Sequence, residues 1–237
     1  MAETLYTIPV NDAFDQGSEC PVCSMRSKLE EEGIAFVLGP SYMDDEVRAV
    51  TDEKGFCDPH MRMLLAERNR LGLSLILKTQ FDRQVRAMEV LKKKPIRPKS
   101  LLKKQEESEI GAFLLSSADS CYLCDRINET LDRYLRTTVL LYEKDEAFRN
   151  KYRNSKGFCI RHAGMLVETA REKLSGKKLE EFAKETVRLY SENLKRLSDD
   201  LDWFQNKFDY RYQNEPWKNS KDAVERAAAK SNGILPK

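Results

Sequence analysis

The chain has 237 residues, 41% apolar and 34% charged, with 41 basic against 39 acidic side chains. That is apolar enough to exclude wholesale disorder and too evenly charged for a dedicated nucleic-acid binder. Ten Gly and eight Pro are few for this length, and with the high charge they argue for long, solvent-washed helices and against a loop-rich β protein.

Residues 1–17 read as an N-terminal extension without the basic start and apolar run of a leader, so the expected location is cytoplasmic. The longest uncharged run, 33–43, has 11 residues, against the ~20 needed to cross a bilayer. A first helix is predicted over 21–32. Pro21 suits its first turn, Val22, Met25 and Leu29 share a face, and Gly33 reads as a stop. A shorter helix follows near 43–50. Asp58-Pro59 opens another, which runs through Leu64, Leu71, Leu75, Phe81, Val85 and Met88 towards Pro95, with Gly72 as a weak point. Residues 92–109 hold Lys92, Lys93, Lys94, Arg97, Lys99, Lys103 and Lys104 with two prolines, Pro95 and Pro98, among them, a basic linker in which nucleic-acid contact is a minor expectation.

The second half opens with Leu123, Ile127, Leu131 and Leu135 at helical spacing, then a short helix near 145–153. The runs 34–38 and 137–142 are short enough for strands but directly follow helical patterns. Ala183, Val187, Tyr190, Leu194, Leu197, Leu201, Phe204 and Phe208 step 4,3,4,3,4,3,4, a heptad seam about 39 Å long. The seam predicts a long C-terminal helix over 179–209 that packs along the 60–91 helix. Beyond it lies an aromatic tail, 210–237, with Asp222-x-x-Glu225 as a capping box for one last helix.

An internal repeat organises the chain. Ser-Glu-Cys-Pro-Val-Cys at 18–23 returns as Asp-Ser-Cys-Tyr-Leu-Cys at 119–124. Gly-Phe-Cys-Asp-Pro-His-Met-Arg-Met-Leu at 55–64 returns as Gly-Phe-Cys-Ile-Arg-His-Ala-Gly-Met-Leu at 157–166. The pattern predicts an all-α fold, in which two duplicated metal-stapled units, 18–91 and 110–209, pack into one helical assembly.

All six cysteines and both histidines fall in these motifs. Two histidines each three places after a cysteine have chance odds on the order of 1 in 1,500. In a reducing compartment such thiols serve metals rather than disulfides. The spacing predicts one quartet of Cys20, Cys23, Cys57 and His60 and a second of Cys121, Cys124, Cys159 and His162. Four saturating thiolate and imidazole donors suit structural Zn²⁺, two ions per chain. An iron–sulfur cluster is the alternative. A site with three thiolates, one imidazole and Zn²⁺ carries a net −1, and Arg26 and Arg126, one turn after each CxxC, are candidates to offset it.

On these residues, together with Tyr6-Thr7-Ile8-Pro9-Val10-Asn11, Gly39-Pro40-Ser41-Tyr42-Met43, Asn69-Arg70-Leu71-Gly72-Leu73, Lys207-Phe208-Asp209-Tyr210-Arg211-Tyr212 and Glu215-Pro216-Trp217, the chain resembles an uncharacterised bacterial family, a domain of unknown function. The resemblance covers nearly the whole length and implies the eight ligands but no activity. Some members carry a label as transporter substrate-binding proteins, which the absent α/β pattern here does not favour.

No phosphate-binding glycine loop and no G-x-S-x-G elbow is present, and with every Cys and His committed to metal no catalytic residue stands out. The expectation is a non-enzymatic zinc protein that binds a protein partner, with Trp203, Tyr210, Tyr212 and Trp217 as the candidate surface. A redox or metal sensor using zinc-thiolate switches is the other function considered.

Overall fold

The computed structural model describes residues 2–96 and 108–233. Arg97, Lys99, Lys103 and Lys104 of the basic segment lie outside the described residues. Eleven α-helices and no strand occur among the described residues: α1 (Ala2–Asp15), α2 (Pro21–Leu38), α3 (Asp45–Lys54), α4 (Asp58–Ala66), α5 (Arg70–Leu91), α6 (Glu109–Asp119), α7 (Tyr122–Lys144), α8 (Glu146–Arg153), α9 (Ile160–Lys173), α10 (Gly176–Asn206) and α11 (Ala223–Asn232). The fold is all-α, as the composition and periodicity predict.

The runs 34–38 and 137–142 belong to α2 and α7. Gly33 does not end α2. A Cβ there would stand 2.9 Å from Leu123 Cδ2, so the glycine lets α2 and α7 approach closely. Nor does Gly72 weaken the next helix. The break falls at 67–69, where the Asn69 side chain takes the Gly72 N–H at 2.9 Å and donates to the Leu38 carbonyl at 2.7 Å. One side chain thus starts α5 and satisfies the end of α2.

The chain forms two compact units, and their limits differ from the expected 18–91 and 110–209. One comprises Met1–Lys28 with Glu129–Lys237, the other Leu29–Asn128. The chain passes between them inside α2 and inside α7. The expected N-terminal extension is α1, which packs on α8 within the first unit.

The core of the first unit is aromatic. Phe14, Tyr142, Phe148, Tyr152, Phe158 and Phe182 are buried, with ring centroids 4.9 to 6.1 Å apart. Burial pushes the Tyr152 phenol well above its usual range, and its Oη shares a 2.7 Å hydrogen bond with Thr186 Oγ1. This cluster also corrects the seam of α10. The buried stripe is Phe182, Thr186, Leu189 and Leu197, while Val187 is 57% exposed. Phe182, sunk among the rings, turns the helix by one residue. Thr186 and Asn193 are tolerated on that stripe because each bonds a carbonyl one turn back, those of Phe182 and Leu189. α10 packs on α9 and α11.

In the second unit, α3 packs on α5, and α5 touches α4 and α6. Ile34, Val37, Leu38, Leu64, Leu73, Ile76, Leu123 and Ile127 form its buried cluster, together with Cys121.

Candidate metal centres

Both cysteine pairs sit where a helix begins: Cys20 just before α2 with Cys23 in its first turn, and Cys121 just before α7 with Cys124 in its first turn. Cys57 and Cys159 are the N-cap residues of α4 and α9, and His60 and His162 lie in the first turns of those helices. Before each N-cap cysteine the chain needs a left-handed residue, Gly55 at φ 59° and Gly157 at φ 73°. Between Gly157 and Cys159 the fully buried Phe158 anchors the turn in the aromatic core, and Phe56 packs on the apolar cluster of the second unit. A Cβ on Gly157 would also meet the Leu189 carbonyl oxygen at 3.1 Å. Gly157→Ala is therefore expected to cost roughly 1–3 kcal/mol in a thermal melt.

The eight side chains gather into two four-donor sets, but not into the quartets that sequence order suggests. Centre I is Cys20, Cys23, Cys159 and His162, and centre II is Cys57, His60, Cys121 and Cys124. Each CxxC meets the CxxH of the other repeat. The reason lies in helix length. α2 has 18 residues, about 27 Å, and α3 only 10, about 15 Å, so α3 cannot return the chain to the start of α2. With 23 and 8 residues, α7 and α8 repeat the mismatch. Had α2 stopped at Gly33, the mismatch in the first half would have been small.

In centre I, His162 Nδ1 stands 3.5, 3.2 and 3.3 Å from the sulfurs of Cys20, Cys23 and Cys159, and the Cys23 and Cys159 sulfurs are 3.7 Å apart. In centre II, His60 Nδ1 stands 3.2, 3.3 and 3.4 Å from Cys57, Cys121 and Cys124, with the Cys57 and Cys124 sulfurs 3.6 Å apart. In both centres Nδ1 faces the thiols. The outward Nε2 of His60 lies 3.9 Å from a Glu30 carboxylate oxygen, beyond hydrogen-bond reach.

The thiols of each centre share protons unequally. Burial pushes Cys20 up to about 12, and Cys23 is pushed up chiefly by its hydrogen bond with Cys159. Cys159 is pulled down by hydrogen bonds with Cys20 and Cys23. In centre II, burial opposes ionisation of Cys121, but hydrogen bonds from His60 and neighbouring groups bring it down to about 6. Burial, then Cys57, pushes Cys124 up to about 12. A metal ion must displace the protons on Cys20, Cys23 and Cys124, so loading weakens as pH falls.

The two centres are tied together differently. At centre II, Tyr122 N donates to the Gly55 carbonyl at 3.0 Å and Ser120 Oγ to the Lys54 carbonyl at 2.7 Å, joining the CxxC directly to the Gly-Phe-Cys turn. At centre I the residue matching Tyr122 is Pro21, which has no N–H to give. Lys230 of α11 takes over. Its ammonium, 1% exposed, donates to the Glu19 and Lys156 carbonyls, both at 2.5 Å. Burial pulls the Lys230 ammonium below its usual value, while Glu19 and Cys20 draw it back up. Glu19 in turn accepts from Arg196 at 2.5 Å. Next to this staple, Gly233 lies so close over the sulfurs that a Cβ would meet Cys23 Sγ at 3.2 Å and Cys159 Sγ at 3.6 Å.

Lys230 carries no motif signal, since it stands in a short alanine-rich helix more than 60 residues after His162, the last candidate ligand. Of the arginines expected near the sulfurs, Arg126 stacks over the Phe36 ring at 4.3 Å, and Arg26 is partly buried on α2. In the tail, Trp203 Nε1 donates to the Pro216 carbonyl, and Tyr212 packs edge-on against Trp203. Trp217 packs on Phe204, whereas Tyr210 is 85% exposed. The capping box at the last helix does not form: Asp222 makes no side-chain cap and instead accepts from Arg226 at 2.9 Å. Within the basic segment, Lys92 pairs with Glu89, and Lys94 with Glu109 at 3.5 Å.

No helix among the described residues is long and apolar enough to cross a membrane. The sequence model of one family, described as a family of unknown function (DUF6062), matches residues 1–237. No curated protein and no solved structure matches the chain.

Proposed function

The chain belongs to this family of unknown function, which lends it no activity, and from the geometry of the two centres we propose a zinc-stabilised helical scaffold that works by binding a protein partner. One zinc ion is held by Cys20, Cys23, Cys159 and His162, the other by Cys57, His60, Cys121 and Cys124. The observation that carries this reading is the donor spacing. With Zn–S near 2.3 Å and Zn–N near 2.0 Å, the edges of a tetrahedron come to about 3.8 Å between sulfurs and about 3.5 Å from nitrogen to sulfur. The Cys57–Cys124 and Cys23–Cys159 sulfurs stand 3.6 and 3.7 Å apart, all ligand atoms of a centre lie within 4.8 Å of one another, and each Nδ1 is 3.2 to 3.5 Å from its sulfurs.

An iron–sulfur cluster would interpose several atoms between the cysteine sulfurs and needs a wider cradle than ligand atoms all within 4.8 Å of one another. Three thiolates and an imidazole leave no open coordination position, which favours structure over catalysis. The cytoplasm, where the thiols stay reduced, is the compartment this chemistry suits. For the partner, Tyr210 and neighbouring Phe208, 85% and 76% exposed, offer aromatic surface that the tail's own packing leaves uncovered.

Elemental analysis of purified protein tests the metal. Two zinc ions per chain, no absorption near 400 nm, and proton release when metal-free protein takes up zinc are the expected results. Stoichiometric iron with acid-labile sulfide overturns the assignment.

A further inference from the structure

We infer that the two centres have different tasks: centre I is a permanent staple, and centre II is an oxidant-responsive site that releases its zinc through the Cys57–Cys124 pair. The inference rests on the zinc reading above and deepens it.

Three observations separate the centres. All four side chains of centre I are buried, at 0, 3, 1 and 3% exposure for Cys20, Cys23, Cys159 and His162. In centre II, Cys121 and His60 are buried, but Cys57 and Cys124 are partly exposed. Second, those two accessible thiols are neighbours, 3.6 Å apart. Third, centre I has a cover that comes from elsewhere in the chain: Gly233 stands against the Cys23 and Cys159 sulfurs while Lys230 stitches Glu19 to Lys156. Centre II is closed by groups at its own ligand turns, Ser120 and Tyr122 against Lys54 and Gly55. Thiolate chemistry follows access, so a small oxidant reaches centre II first.

The step balances with hydrogen peroxide. One thiolate of the pair attacks a peroxide oxygen, the O–O bond breaks, and a sulfenic acid and hydroxide form. The second thiolate attacks that sulfur, a disulfide forms, and a second hydroxide leaves. Two electrons pass from two thiolates to one peroxide. Zinc is left with Cys121 and His60 only and departs. Lys230 is a positioning residue on the other side of the comparison, because it holds centre I shut without touching the ion.

The test uses full-length zinc-loaded protein and limiting hydrogen peroxide. A chromogenic chelator follows zinc release, and peptide mass spectrometry after alkylation identifies the oxidised thiols. One zinc of the two is expected to leave at least about ten-fold faster than the other, in step with a Cys57–Cys124 link, and to rebind after reduction. Lys230→Met should speed release from centre I and leave the fast phase unchanged. Simultaneous release of both ions, or first oxidation at Cys20, Cys23 or Cys159, overturns the division of tasks while leaving the zinc assignment intact. Protein that holds no zinc before peroxide is added overturns the zinc reading and the inference with it.

Discussion

Combining Cys20→Ser with His162→Ala should remove one zinc per chain, whereas combining Cys20→Ser with His60→Ala should remove both. The two double variants contain the same kinds of substitution, so the difference between them reports only which ligands share an ion. Within one centre the second substitution is redundant, because a site that has lost a thiolate is already crippled. Across centres the losses add, as for independent sites. The effect is large: structural zinc contributes apparent energies of ~10–16 kcal/mol at neutral pH in small domains. If the ligands were grouped by sequence order, Cys20 and His60 would share an ion and the two outcomes would exchange. Metal content by elemental analysis, with circular dichroism to confirm folding, reads the answer directly. The grouping rests on Sγ–Nδ1 distances of 3.5 Å or less from Cys20 and Cys23 to His162, and of similar length from Cys121 and Cys124 to His60.

The misgrouping shows where the sequence stops being legible. The eight candidate ligands were readable because Cys and His are scarce here and their spacing follows helix turns. The helices around them were readable from period and punctuation. What joins Cys20 to Cys159 is the length of α2, and that turned on Gly33. A glycine after an apolar helical stretch reads as a C-terminal signal, yet Leu123 needs the missing side chain, and α2 continues to Leu38. The same kind of cause hid the face of α10. The predicted seam holds at Leu197, which is buried, but is displaced by one residue over 183–194, because Thr186 looks polar in a sequence and packs like an apolar residue once its hydroxyl is bonded to Phe182 and Tyr152. Lys230 was hidden for the opposite reason. A lysine in a surface-like helix carries no local mark of burial, yet Lys230 reaches the Lys156 carbonyl, the counterpart of the Lys54 carbonyl that Ser120 takes at the other centre.

Emptying the two centres should have unequal consequences for the fold. In the first unit Phe148, Tyr152, Phe158 and Phe182 are fully buried, and an aromatic side chain buries 150–250 Å². At about 25 cal/mol per Å², four such rings are worth roughly 15–25 kcal/mol of burial, as much as a zinc ion contributes in a small domain. Phe158 sits in the ligand-bearing turn itself, so that turn stays anchored when the ion leaves. The second unit has no such reserve. Its cluster is aliphatic, α6 buries no residue, and α5 buries only Gly72, Leu73 and Ile76 in its first two turns. Farther along α5, Phe81, Val85 and Val90 are 56, 60 and 61% exposed. Besides the bonds to Lys54 and Gly55, its Gly-Phe-Cys turn is anchored only by the half-buried Phe56, where the first unit has the fully buried Phe158. Cys57→Ser with His60→Ala should therefore strip hydrogen-exchange protection from α3, α4 and the start of α5, and lower the helical signal. Cys20→Ser with His162→Ala should loosen α11 and the ligand turns of centre I but leave α8, α9 and α10 protected. Equal loss of protection in both units after either substitution pair would show that the aromatic core does not stand in for the metal.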